Sequence, residues 1–259
     1  MGTSSSQRSP STPEWERVRE LYRQPNPDPV EVLSRIVSAI GPETRAGLKG
    51  AGVVCCLDNL LEAPIAAHAG DLSRLLMGHP GMLQMPAIEL ANGIRRHAES
   101  EIINRQIASR FSDLGLQAVG TTVMGAAEDI PGALGLLRTT LPQLESHFAS
   151  FYEEPRLNYL AGAFLADDLS HAFRYFVARD ISDFVGTEAL PTVSSSSILQ
   201  DRIAHSCRLL TGEVDLTRSE DIIRHALTRR DPAERGELLH GFFGQAIDSG
   251  LGALADAGG

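Results

Sequence analysis

Apolar residues recur at alternating three- and four-residue spacings along most of this chain, the period of a helix with one buried face. The clearest case begins at Asp28-Pro29-Val30-Glu31, which supplies a cap, a proline at the first helical position and a carboxylate in the first turn. Val32, Leu33, Ile36, Val37 and Ile40 then form one apolar stripe, and Gly41-Pro42 ends it. Asp231-Pro232-Ala233-Glu234 repeats that start and leads into Leu238, Leu239, Phe242, Phe243 and Ala246. Thr217 with Glu220 and Ser197 with Gln200 have the spacing of two further capping boxes. Trp15, Val18 and Tyr22 mark a short amphipathic helix ahead of the proline-rich link at 25–29.

Longer periodic stretches lie between these. The spacing predicts one long helix over 86–111, carried by Ile88, Ala91, Ile94, Ala98, Ile102 and Phe111, with Gly93 its weak point. Over 130–152 the series Leu134, Leu137, Leu141, Leu144, Phe148, Phe151 makes a helical seam that Pro142 should kink or split. Residues 157–178 continue with Leu160, Phe164, Leu165, Leu169, Phe173 and Phe176. Extended structure has two weak candidates, Val53 to Leu57 and Ala118 to Met124, and the first runs on into Leu60 and Leu61 at helical spacing. The fold class expected is all-α, an irregular multi-helix bundle of about eight to ten helices with little or no sheet. Its helical domain spans 13–251, between a disordered tail at 1–12 and a flexible tail at 252–259. A polar loop at 186–197, ending in four serines, marks a place where it could subdivide or carry a lid.

Composition narrows this picture in three ways. Aromatics are only 5% of residues, so the core must be built mainly from Leu, Ile, Val and Ala, which suits helix packing. A net charge of -10 opposes broad binding to phosphate backbones or anionic lipid, so nucleic acid and membrane are not the expected partners. Cys55, Cys56 and Cys207 fit neither a disulfide scaffold nor paired zinc-ligand spacing and read as reduced, buried thiols of a cytoplasmic protein. The stretch from Met1 to Pro13 lacks the apolar segment of a secretion signal, and no apolar run reads as the roughly eighteen residues that cross a bilayer.

No motif in the chain names a reaction. Gly47, Gly50 and Gly52 resemble a phosphate-cradling loop only superficially: no strand precedes them and Lys49 is not followed by Ser or Thr, so a helix-to-helix turn is expected. No serine sits in a Gly-x-Ser-x-Gly frame. Four histidines of the C-terminal half follow a carboxylate by one helical turn: Asp167 and His171, Asp201 and His205, Asp221 and His225, Glu237 and His240. Helical metal sites are built from such pairs, and Asp167-Asp168 beside His171 could also hold magnesium through carboxylate oxygens. Helical phase sets Asp167, His171 and Arg174 opposite the Leu165, Leu169, Phe173 stripe, and Asp201, His205 and Arg208 opposite Leu199, Ile203 and Leu210. Both triplets therefore read first as solvated charged faces. His97 points toward the apolar side of its helix with Glu101 and Arg105 following at successive turns, an arrangement that could tune a histidine for acid–base work or simply satisfy a core edge.

Two functions follow from these observations. One is a binding or accessory protein whose apolar groove takes a protein partner's helix or a small apolar ligand. The alternative is a helical-bundle enzyme holding a divalent metal, with Glu237, His240, Asp167, Asp168 and His171 as ligands and His97, Glu101 and Arg105 as catalytic candidates. Its chemistry would be oxidation at iron or diphosphate ionisation at magnesium. A helix-turn-helix regulator ranks last, because Glu220 and Asp221 dilute the only basic helix, 217–230.

Overall fold

Prolines open five of the helices in this protein. In the computed structural model, which describes residues 12–76, 85–130, 139–154 and 156–258, α1 (Pro13–Tyr22), α2 (Pro29–Ala39), α3 (Pro42–Leu48), α5 (Pro86–Asn104) and α11 (Pro232–Asp256) all start on one. The missing amide proton costs nothing in the first turn, and the preset φ favours helical entry. Asp28 accepts from the Val30 amide at 3.1 Å and Asp231 from the Ala233 amide at 2.9 Å, so both predicted starts stand where the spacing put them. The remaining helices are α4 (Ala51–His68), α6 (Arg110–Glu128), α7 (Leu141–Glu153), α8 (Leu157–Ile181), α9 (Val193–Gly212) and α10 (Glu220–Leu227). The fold is all-α, and the sole β feature among the described residues is an isolated bridge between Val185 and Leu190.

Several boundaries differ from those the sequence predicts. The stretch 86–111 is two helices: α5 ends where Gln106 turns into the left-handed region at φ 55°, and the amides of Gln106 and Ile107 return to the carbonyls of Ile103 and Ile102. That cap is usually made by glycine, so the sequence carried no sign of it. Ser109 then caps α6: its hydroxyl accepts from the Ser112 amide at 3.1 Å, and the Ser112 hydroxyl accepts from the Ser109 amide at 2.8 Å. α7 begins at Leu141 with Pro142 in its first turn, and Leu134 and Leu137 of the expected seam lie outside the described residues. The polar loop is shorter than expected, because Thr192 and Ser195 form a reciprocal cap and the four serines lie within α9. Neither Ser197 nor Thr217 caps a helix; Thr217 begins a single 3-10 turn before α10. Val53 to Leu57 and Ala118 to Met124 are helical, and α11 runs on to Asp256 with Leu254 fully buried in what was expected to be a tail.

Two helices form the axis of the bundle. Against α4 pack α5, α6, α7 and α11, and α8 runs against α6, α9 and α10. α2 lies on α9 and α11, and α1 covers α2 and reaches α8. The core joins Leu57, Leu60 and Leu61 of α4 to Phe164 and Phe173 of α8 and Phe243 of α11. Each such side chain contributes about 1.5–3 kcal/mol on burial, against about 0–1 kcal/mol for an exposed ion pair. Apolar packing therefore holds the fold, and ion pairs choose its details.

Candidate functional site

α4 is apolar on every side except at Asp58-Asn59 and Glu62, and these polar residues face the C-terminal turn of α5 and the first turns of α11. Arg235 of α11 binds both carboxylates: its Nη1 donates to Glu62 Oε1 at 2.7 Å, and its Nε donates to Asp58 Oδ2 at 3.1 Å while lying 2.9 Å from Oδ1. On the α5 side, Asn59 donates to Glu101 Oε2 at 3.0 Å and Arg105 to Glu101 Oε1 at 2.9 Å. Between these two networks lies a cleft of about 440 Å³, with Ala51, Val54, Ala233 and Gly236 as its small-residue surface and Cys55, Asp58, Arg105, Glu237 and His240 as its polar one.

Burial shifts the ionisation of these groups. Asp58 is pushed up to about 6 by desolvation, with the Arg235 charge opposing the shift. Desolvation works in the same direction on Glu101, but hydrogen bonds from Asn59 and Arg105 outweigh it and hold that carboxyl below its ordinary value. Cys55 is pushed up to about 12 by burial, with the Glu101 charge adding to it, so its thiol stays protonated and unreactive at neutral pH.

The sequence-derived candidates divide in two. Glu101 and Arg105 pair as spaced, and Arg105, Glu237 and His240 come together on the cleft from different helices. His97 does not join them: it is exposed, and among the described residues no hydrogen bond or ion pair links it to Glu101. The phase of α5 is the reason, since Ala98 and Ile94 take its buried face and carry His97 outward between Arg96 and the core edge.

Of the expected solvated face of Asp167, His171 and Arg174, only Arg174 is exposed; Asp167 is buried beside Asp168, and His171 is half-buried. Asp167 and Asp168 are 2% and 1% exposed, because α6 and α9 cover the side of α8 opposite its leucine and phenylalanine stripe. Asp167 accepts from Thr122 Oγ1 at 2.8 Å and faces the Arg208 Nε at 3.0 Å, and burial pushes it up to about 6 against the pull of Arg208. Asp168 is raised well above the usual carboxyl range by burial, with Asp167 adding to the shift, and its Oδ2 has no hydrogen-bond partner. His171 meets Thr121 Oγ1 at 3.0 Å, and burial together with the Arg174 and Arg208 charges lowers its pKa. Asp201 does lie on a solvated face as expected, where it pairs with Arg174 at 2.9 Å. Arg208 flanks two larger clefts, of about 710 and 720 Å³, which share Tyr159 and Ala163.

Among the described residues, no three His, Cys, Asp or Glu side chains stand where they could hold one metal ion together. The two candidate metal sets are thus a carboxylate and a histidine on a cleft wall and a buried aspartate pair of which Asp167 is engaged with Thr122 and Arg208. Sequence reasoning missed Asp58 and Arg235, which organise the cleft. The legible sign was an acid embedded in the apolar run from Val53 to Leu61, a position that needs a partner from elsewhere in the chain. Comparison of the chain with protein-family models, curated proteins and solved structures finds no match.

Proposed function

We propose that this chain is a helical binding protein that takes a small ligand with a largely apolar body in the cleft between α4, α5 and α11. The observation that carries the proposal is the cleft itself: about 440 Å³ bounded by small aliphatic residues and edged by a few polar groups. Ligand sites have this make-up and a typical size of roughly 300–1,000 Å³. On the polar edge, Arg105 is fixed by Glu101 and Asp58 by Arg235 behind it, so these two groups are ordered before a ligand arrives. This function asks nothing of His97 and requires no third ligand beside Glu237 and His240.

The test uses an environment-sensitive dye and one blocked variant. A side chain added at Gly236 meets nothing within 4 Å, so Gly236→Trp should enter the cleft without disturbing the core. The wild-type protein is expected to enhance the dye's fluorescence, and small apolar competitors to displace it. Gly236→Trp should keep its melting temperature and lose that response. Equal dye binding by both proteins would remove this cleft as the binding site.

A further inference from the structure

We propose that the ligand of this cleft is an organic ammonium ion, an aliphatic body carrying a protonated amine, an inference that rests on the cleft being the binding site. Charge complementarity is the first support. Asp58, Glu62, Glu101 and Glu237 place four carboxylates in and behind the cleft walls, against the two guanidiniums of Arg105 and Arg235. Arg74 also reaches Glu62, at 3.3 Å, but it faces a further carboxylate, Asp71. The balance is therefore negative, as in the chain as a whole.

The state of the individual partners is the second support. Both guanidiniums already face carboxylates, Arg105 with Glu101 and Arg235 with Asp58 and Glu62, so an anionic ligand meets no uncompensated positive charge from them. Asp58 is only 5% exposed and both its oxygens lie within 3.1 Å of the Arg235 Nε, a guanidinium it shares with Glu62. Glu237, on the facing helix, has no hydrogen bond or ion pair among the described residues. An ammonium group has three donors and no acceptor, which matches the unpaired Glu237 carboxylate on the cleft, with two carboxylates, Asp58 and Glu62, sharing one guanidinium behind it. Ala51, Val54, Ala233 and Gly236 offer no aromatic face to the body of the ligand, so the fit is to an aliphatic rather than a stacked group.

The experiment compares three probes of one shape, cyclohexylmethylamine, cyclohexylmethanol and cyclohexanecarboxylate, as competitors of the dye at neutral pH. The amine is expected to bind at least about tenfold more tightly than the alcohol, and the carboxylate more weakly than either. Glu237→Gln, an exposed position, should keep its melting temperature and, with each competitor referred to that variant's own dye affinity, bring the amine within about threefold of the alcohol. Equal binding of amine and alcohol by the wild-type protein overturns the ammonium inference, and so does an undiminished amine preference in Glu237→Gln. In either case the cleft stands as a ligand site so long as Gly236→Trp abolishes dye binding. Persistence of dye binding in that variant instead sinks the site and the ammonium with it.

Discussion

At the scale of single residues, two glycines with the same letter have opposite roles. A Cβ on Gly93 would lie 1.7 Å from the backbone oxygen of Leu75, so the turn that follows α4 rests directly on the α5 backbone. Backbone cannot swing aside as a side chain can. Gly93→Ala is therefore expected to destabilise the fold by about 3 kcal/mol, read as a lower midpoint in urea unfolding. Gly236 sits in the interior of α11 facing open space, and Gly236→Ala should raise stability by about 1 kcal/mol through helix propensity alone. In the sequence Gly93 reads merely as a weak point of a helical pattern. What separates it from Gly236 is an approach between segments distant in the chain, which no local spacing encodes. Asp58 was more legible, because an acid within an apolar run implies a partner, although nothing in the run could name Arg235.

Helix starts marked by an Asp-Pro pair were readable, whereas the serine and threonine caps at Ser109 and Thr192 and the ends set by backbone geometry were not. Asp-Pro starts at α2 and α11 fall where the pattern put them, whereas the left-handed Gln106 ends α5 with a residue that rarely takes that role. The docking of α1 is likewise invisible in the sequence. Trp15 Nε1 donates to Asp180, which is fully buried at the end of α8, and the Arg179 guanidinium lies 3.1 Å from the same carboxylate and 4.8 Å from the indole ring centre. Trp15→Phe keeps most of the apolar area and removes one donor from a buried carboxylate. Its expected cost is about 1–3 kcal/mol, seen as a lower melting temperature by circular dichroism. A variant as stable as the parent would show that Arg179 alone satisfies Asp180.

The whole molecule explains two features that look anomalous when taken one at a time. Residues 42–68 are long and apolar enough by composition to cross a bilayer, contrary to the reading that no run was; yet 72% of the apolar window is buried, with α5, α6, α7 and α11 packed around α4. A helix enclosed by other helices needs apolar residues all round. The same enclosure, on α8, turns an expected solvated face into the buried Asp167–Asp168 pair, and it gives stability a definite dependence on pH. Asp167 has a folded pKa of about 6, above its ordinary 3.8, so between these values the folded state holds more protons than the unfolded one. Stability contributed by this group is present at the acidic end and falls as pH rises through that window. His147 and His171 are shifted downward by burial and act in the opposite sense, so the parent's own pH profile mixes the two. Asp167→Asn removes this carboxyl and leaves the histidines common to both proteins, and it also takes away the Asp167 charge that adds to the burial shift of Asp168, so the comparison reads the aspartate pair. The stability of the parent relative to Asp167→Asn should rise as pH is lowered from 7 to 5, by at most about 1.4 kcal/mol per unit. A difference that stays flat, or that favours the variant on acidification, would mean the Arg208 charge outweighs the burial of Asp167. The carboxylate would then be an ordinary ion-pair partner.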